Sequence, residues 1–348
     1  MAEDVFKNIP ALKGIPVDEF MDTMGMFSAA LSMNCTDCHT EDSTSAWVNF
    51  AKETPLKQKA RSMMLMMNGI NRNNFSGAKM VTCFTCHRGD RRPKAAASLA
   101  VQYSVPSDDP NDVEIPPAGF PGTPSVDEVF NKYIQAVGGR EKVSALASFV
   151  ARGVYEGYDT SHVKSPIEVY AKAPAQHASV VHAGFGDKVT VFDGRNGWFS
   201  SADKPVPLMG LTGGNLAGAR LDAMAFFPAQ IRQMATGWRT GMTAIGDTDV
   251  VVVQGDNANL PPLNLYFDAN TGLLSRIVRF SDTAVGRVPT QIDVADYREV
   301  AGVKVPFRWT TTWTDNETIT QFTEIQLNTT IEAAKFARPA PAPPLKVQ

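Results

Sequence analysis

The four cysteines of the chain lie in two short motifs of the same pattern. The motifs read Cys35-Thr36-Asp37-Cys38-His39 and Cys83-Phe84-Thr85-Cys86-His87. A C-x-x-C-H sequence is typical of c-type haem attachment, in which both thiols bond to the porphyrin and the histidine binds the iron. The sequence therefore predicts two covalent haem c groups, held by all four cysteines and with His39 and His87 as axial ligands.

Other chemistry is open to the same thiols. A C-x-x-C pair can be a redox-active dithiol, and two such pairs can supply four thiolates to a tetrahedral zinc ion. Two disulfides are a further alternative, although a two-residue loop constrains so long a chain very little. The histidine that directly follows the second cysteine in both motifs favours haem, because a zinc site does not require it.

Methionines stand before each motif and are candidates for the other axial position. Ten of the fourteen methionines lie within the first 80 residues. Met21 and Met24 lie on a helix predicted over 18–32, and Met63 and Met66 lie on a second helix predicted over 60–71. A thioether from such a helix can complete a His/Met pair of iron ligands, which raises the reduction potential relative to His/His. A methionine can equally fill a gap in the core, so spacing alone does not choose within each pair.

Residues 18–92 resemble the tetrahaem cytochrome c subunit of bacterial photosynthetic reaction centres. The resemblance rests on the stretch from Met24 to the first motif, on Ala60-Arg61-Ser62-Met63, and on Val81-Thr82-Cys83-Phe84-Thr85-Cys86-His87-Arg88-Gly89. It implies an all-α unit equivalent to one repeat with two haems, whereas the family carries four. It also implies Met24 as the distal ligand of the first haem and Met63 of the second, with Met21 and Met66 as alternates. A photosynthetic role does not follow from a single repeat.

Length and composition bound the remaining possibilities. A chain of 348 residues leaves room for two domains at roughly 100 to 200 residues each. A net charge of −3 gives no basic surface for nucleic acid, and no apolar run is long enough to span a membrane. The first ten residues do not read as a secretory signal. Because haem is attached covalently outside the bacterial cytoplasm, we expect a periplasmic or extracellular protein whose signal peptide is absent from this sequence.

Proline content divides the chain. We expect a dihaem domain over 1–103, a proline-rich linker over 104–124, a second domain over 125–336 and a proline-rich tail over 337–348. The linker holds six prolines, which favour extended conformations over packed ones. The alternative is an ordered strap across the haem domain, anchored by Tyr103, Ile115 and Phe120.

The second domain is predicted to be α+β and dominated by a curved antiparallel sheet. Helices are expected over 126–137 and 140–147, followed by about eleven strands with a helical insertion near 217–236. This order resembles the half-barrel of the lipoprotein-sorting and lipoprotein-carrier fold, as do short features such as Asp193-Gly194 with Trp198. The resemblance implies a concave face that binds an apolar ligand such as lipid, or one that docks a partner.

The functional prediction is an electron carrier and not an enzyme. Two haems with closed coordination would pass single electrons between redox partner proteins, and self-association is a further possibility. The alternatives are a dihaem peroxidase, which needs an open iron site, and a lipid-binding or assembly module with accessory haems. His162, His177 and His182 are the histidines outside the motifs, and we expect them to be surface or satisfied core residues.

Overall fold

The computed structural model describes residues 1–93, 95–96, 109–111, 113, 115–116, 118–257 and 260–343. The chain forms two compact units. The helical unit comprises Met1–Ser107 together with the distant segment Asp282–Val288. The sheet unit comprises Asp108–Ser281 and Pro289–Gln348.

Five α-helices are described in the helical unit. They are α1 (Ala2–Val5), α2 (Val17–Leu31), α3 (Cys35–Cys38), α4 (Pro55–Asn74) and α5 (Cys83–His87), with 3₁₀ turns at Glu41–Thr44 and Trp47–Ala51. The helix predicted over 18–32 is confirmed as α2. The second is longer than the predicted stretch, because the Thr54 side chain caps its first turn and Pro55 occupies the first helical position.

The core of the helical unit is rich in methionine. Met26, Met64 and Met67 are buried there with Phe20. Val285, from the distant segment, is buried in the same cluster and is 1% exposed. The unit is therefore closed by residues far apart in the chain.

A single antiparallel sheet of thirteen described strands forms the sheet unit. The strands are β1 (Ser148–Gly157), β2 (Ser165–Lys172), β3 (Gln176–Ala183), β4 (Gly186–Phe192), β5 (Gly197–Ser200), β6 (Leu208–Gly210), β7 (Thr236–Ile245), β8 (Thr248–Asn257), β9 (Leu260–Asp268), β10 (Leu274–Asp282), β11 (Arg287–Val300), β12 (Val303–Trp313) and β13 (Asn316–Leu327). Their order is β6-β5-β4-β3-β2-β1-β13-β12-β11-β10-β9-β8-β7, so the first and last strands of the domain pair at the middle.

The predicted antiparallel meander is confirmed, with two strands more than expected. The missed strands are β5 and β6, which have only 4 and 3 residues and therefore show little alternation. The helical insertion is α8 (Gly213–Ala225), and Pro228 then begins a 3₁₀ helix that ends at Gln233. Proline at this position lacks the amide hydrogen that a longer α-helix would need.

Two helices precede β1 in the sheet unit, α6 (Val126–Ala136) and α7 (Arg140–Ser144). A capping box begins α6, because the Ser125 side chain accepts from the Glu128 amide while the Glu128 carboxylate accepts from the Ser125 amide. Phe130 of α6 is fully buried and packs edge-on against Phe267 of β9, with ring centroids 5.9 Å apart. This contact fixes α6 on one face of the sheet.

The described part of the proline-rich stretch packs onto the sheet. Ile115 is buried among Val250, Val252 and other sheet residues, and the Tyr266 hydroxyl donates to the Pro110 carbonyl at 2.6 Å. These residues form an ordered strap on the sheet unit, whereas Tyr103 lies outside the described residues. At the other end, the Ala342 amide donates to the Pro207 carbonyl at 3.1 Å, so the described part of the tail lies beside β6.

Candidate haem-binding site

The first C-x-x-C-H motif folds as one helical turn with a reciprocal cap. The Asn34 side chain accepts from the Asp37 amide at 3.0 Å, and the Asp37 carboxylate accepts from the Asn34 amide at 2.8 Å. A spacing of three residues on a helical turn places Cys35 and Cys38 on one side. Both thiols are free, and Cys35 is exposed. The turn thus presents two thiols in the arrangement that the two thioether bonds need.

His39 ends this turn with a defined ring orientation. Its Nδ1 atom lies 3.1 Å from the Phe50 carbonyl oxygen, so Nδ1 carries the proton and donates it. Burial lowers the pKa of His39, and the nearby Lys57 cation lowers it further. The ring is therefore neutral at neutral pH, and its Nε2 atom keeps a lone pair for a metal.

The second motif has the same construction with different residues. The Thr82 hydroxyl accepts from the Thr85 amide at 3.2 Å and caps α5. The His87 Nδ1 atom lies 3.0 Å from the Asp90 carbonyl oxygen, which again leaves Nε2 available. Arg88 ends the helix in the left-handed region with φ 49°. Two independent motifs therefore orient their histidines by the same kind of hydrogen bond.

Burial makes two of the thiols, those of Cys38 and Cys83, poor thiolates. It raises the pKa of Cys83 to about 11, with a smaller contribution from the neighbouring Cys86, and it raises the pKa of Cys38. A redox-active dithiol needs a lowered pKa. In the described ranges, no group of three or more His, Cys, Asp or Glu side chains is placed to hold a metal ion. None of them forms a disulfide.

Hydrogen bonds tie the helices to the motifs. The Thr54 hydroxyl donates to the Cys38 carbonyl at 2.6 Å, which joins the start of α4 to the first motif. The Gly89 amide donates to the Ala30 carbonyl at 3.0 Å, which joins the end of α2 to the chain after the second motif. Each methionine-bearing helix is thus fixed relative to a C-x-x-C-H turn.

The methionines of α4 differ in how far their side chains are buried. Met64 and Met67 are core residues, 3% and 7% exposed, whereas Met63 is half-buried and Met66 is 50% exposed. A ligand must reach a surface that a haem can cover, so the two core methionines are poor candidates. Met63 and Met66 remain the candidates on α4.

Met21 and Met24 of α2 are both partly buried against the core. Met24 shares that apolar cluster with Cys83 of the second motif.

Several large apolar side chains of the helical unit are exposed. They include Trp47, Val48, Leu65, Met66, Phe75, Met80 and Phe84. Trp47 stacks on Phe50, whose ring lies 4.8 Å from the His39 ring, so this aromatic pair borders the first motif. Two thiols per turn and a neutral imidazole fit a covalently bound porphyrin.

The three other histidines take different places. His182 is exposed, with its Nδ1 atom 2.8 Å from the Asp187 carboxylate, and His162 lies 4.0 Å from Glu156. The His177 ring stacks on Phe226 with centroids 5.2 Å apart. His162 and His182 thus lie at the surface as expected, and the half-buried His177 ring packs against an aromatic side chain.

Residues 1–109 match the family model of the photosynthetic reaction centre cytochrome C subunit. The match confirms the resemblance seen in residues 18–92. The photosynthetic reaction center cytochrome c subunit of Rubrivivax gelatinosus is 32% identical over 112 residues, which are 31% of this chain and 29% of that protein. The chain thus matches less than a third of the length of this relative.

Three solved structures are similar to this chain over about three fifths of its length. A LolA superfamily protein from Nitrosomonas europaea has a TM-score of 0.40 at 12% identity and covers 62% of this chain and 98% of its own. A DUF1329 family protein from Desulfovibrio piger has a TM-score of 0.41 at 9% identity, with 62% and 98% covered. An outer membrane lipoprotein-sorting protein domain from Vibrio parahaemolyticus has a TM-score of 0.39 at 9% identity, with 60% and 94% covered. The likeness concerns the fold alone.

Two features of the site escaped sequence reasoning. The carbonyl oxygens that accept from the histidines belong to Phe50 and Asp90. Because every residue has a backbone carbonyl, a sequence motif does not reveal which one is the acceptor. The buried side chain of Asn71 holds the backbone before the second motif, and an asparagine near the end of a helix looks like an ordinary polar residue in the sequence.

No helix in the described ranges has the length and apolarity of a membrane span.

Proposed function

We propose that the chain is a c-type cytochrome with two haems that passes single electrons between redox partner proteins. The observation that best supports this is the matched orientation of His39 and His87. In both, Nδ1 is bound to a backbone carbonyl, at 3.1 and 3.0 Å, so that Nε2 is left for iron beside two thiols. When bound, haem supplies a one-electron ferric/ferrous couple.

The proposed residues divide into two sets. Cys35 and Cys38 hold the first haem and Cys83 and Cys86 the second, while the distal ligands are Met24 and Met63, with Met21 and Met66 as alternates. Fixed histidines on capped turns and methionines on long helices would change little in position between the two oxidation states. Such rigidity suits electron transfer, because less rearrangement accompanies each step.

The alternative enzyme is a dihaem peroxidase, which requires an iron with an available coordination position. A methionine within reach of each haem would close both positions, so the proposal is an electron carrier without catalytic residues. Electronic spectra distinguish the two functions. A peroxidase would show a high-spin ferric haem and turnover of peroxide, and either result would contradict the carrier.

The direct test is haem stoichiometry. We expect the purified protein to retain two haems per chain after denaturation, because thioether bonds survive unfolding. The double variants C35A/C38A and C83A/C86A should each retain one. A protein that carried zinc, or no bound group after maturation in a host with the cytochrome c assembly machinery, would refute the proposal.

Location and further partners are part of the same proposal. Covalent haem attachment supports a periplasmic or extracellular site, which fractionation of the cells that make the protein would test. The sheet unit would dock a redox partner or bind an apolar ligand, and the protein could self-associate. Mass spectrometry of an organic extract and sedimentation of the purified protein test these two expectations.

A further inference from the structure

The segment Asp282–Val288, here called the 282–288 loop, belongs to the helical unit although it lies far along the chain. In sequence it joins β10, which ends at Asp282, to β11, which begins at Arg287. A hairpin connection of this kind needs only a tight turn. This one instead buries apolar residues: Val285 is 1% exposed and Val288 is 5% exposed.

The loop contacts the second haem motif directly. The Cys83 amide donates to the Val285 carbonyl at 3.1 Å. The first amides of a helix have no acceptor within the helix, and Thr82 satisfies only the amide of Thr85. The 282–288 loop thus supplies the acceptor for the first amide of α5, at the residue that would carry a thioether bond.

A second contact holds the loop from the other side. The Lys79 ammonium donates to the Thr283 carbonyl at 2.7 Å, and these residues are 204 positions apart in sequence. Lys79 is four residues before Cys83, so the 282–288 loop contacts the chain at both ends of the turn that leads into the motif. Two contacts restrain the position of that turn better than one.

The shape of the loop is held internally. The fully buried Thr283 donates from its hydroxyl to the Gly286 carbonyl at 2.7 Å and accepts from the Val285 amide at 3.3 Å. A Cβ atom at Gly286 would lie 2.5 Å from the Cε atom of Met26 in α2. The loop therefore fits closely between α5 and α2, and a side chain at position 286 would force Met26 or the loop to move.

We propose that the 282–288 loop is a structural component of the second haem site, with Val285 as a positioning residue for Cys83. The proposal rests on the proposed function, since it assumes that Cys83 carries haem. It goes beyond the matched family, because the loop lies outside residues 1–109. It implies that this site is complete only when residues beyond position 280 have folded.

The test uses the full-length protein with two substitutions in the loop and one control. Val285→Ala removes buried packing, and Gly286→Val displaces the loop from Met26. Val252→Ala is the control, because Val252 is equally buried in the sheet unit. Two quantities are measured: hydrogen exchange of the Cys83 amide, and the far-red absorption band of methionine-ligated ferric haem.

We expect the Cys83 amide to exchange about tenfold faster in Gly286→Val, and the absorption band to fall to about half as one of two haems is perturbed. Val252→Ala should change neither. An unchanged Cys83 amide in both loop variants overturns the role of the loop. Faster exchange with an unaltered absorption band also overturns it, because the loop would then support α5 without affecting the haem.

The two proposals fail in different ways. Wild-type protein without covalent haem would refute the proposed function, whereas amide exchange still reports whether the loop holds Cys83. If Gly286→Val does not fold, Val285→Ala gives the same comparison with a smaller perturbation. No change in amide exchange in that variant would then overturn the proposal.

Discussion

The Asn71 side chain holds the backbone of Val81 through both of its polar atoms. Its Nδ2 atom donates to the Val81 carbonyl at 2.7 Å, and its Oδ1 atom accepts from the Val81 amide at 2.8 Å. Asn71 is 4% exposed and lies in the last turn of α4. The helix that bears Met63 is thereby joined to the loop that leads to Cys83, two residues before that cysteine.

Replacing Asn71 should destabilise this part of the protein. Asn71→Ala removes the partners of the amide and the carbonyl of the half-buried Val81, which costs about 1 to 3 kcal/mol of unfolding free energy. Denaturant unfolding measures the loss. Asn74→Ala is the matched control, because Asn74 is exposed and bonds only within its own helix. Equal losses in the two variants would contradict the role assigned to Asn71.

The methionine ligands are tested by volume-conserving substitutions. Met24→Leu and Met63→Leu should each lower the reduction potential of one haem and remove half of the methionine-to-iron absorption, because a thioether ligand raises the potential. Folding should be little affected, since such exchanges cost less than about 1.5 kcal/mol.

Met21→Leu and Met66→Leu are the controls and should leave both measurements as in the wild type. If either control variant lost the absorption band while its partner kept it, the ligand would be the alternate on that helix. Potentiometric titration followed by visible spectroscopy gives both quantities in one experiment.

Thr54 connects the start of α4 to the first motif. Its hydroxyl donates to the Cys38 carbonyl at 2.6 Å and accepts from the Lys57 amide at 3.2 Å. Thr54→Val keeps the shape but loses both bonds, and we expect a loss of about 1 kcal/mol, typical of a helix cap. Thr54→Ser should restore most of it in thermal unfolding. A serine variant no more stable than valine would show that the hydroxyl is not responsible.

The pH dependence of stability should carry a contribution from His177. Burial lowers its pKa to about 4 in the folded protein, partly opposed by Asp222. Between that value and the unfolded value of 6.5, the unfolded chain binds more protons, so stability falls as the pH is lowered through this range. The loss is at most about 3 kcal/mol.

Denaturant midpoints at several pH values measure this effect. His177→Phe keeps an aromatic ring stacked on Phe226 and should flatten the profile between about pH 6.5 and 4. His182→Phe, at an exposed position of the same strand, is the control and should keep the wild-type slope. Parallel profiles for the wild type and His177→Phe would show that another group titrates there.

Local patterns in the sequence determined the haem motifs, the helices that bear the methionines and the antiparallel character of the second domain. Covalent haem attachment would require the spacing of Cys35, Cys38 and His39. Because these residues are almost consecutive, the motif can be recognised directly in the sequence. Strands are recognised from the alternation of apolar and polar residues and from the turn residues between them. β5 and β6, with 4 and 3 residues, are too short to show this alternation and were missed.

Only the tertiary structure decided which groups support the site. The acceptors for His39 and His87 are backbone carbonyls, which every residue has, so no residue type could reveal them. Burial separated Met64 and Met67 from the ligand candidates, because neighbours from other elements cover them. Val285 meets Cys83 across about 200 residues of chain, and contacts at such separations depend on the folded path of the whole chain rather than on any local pattern.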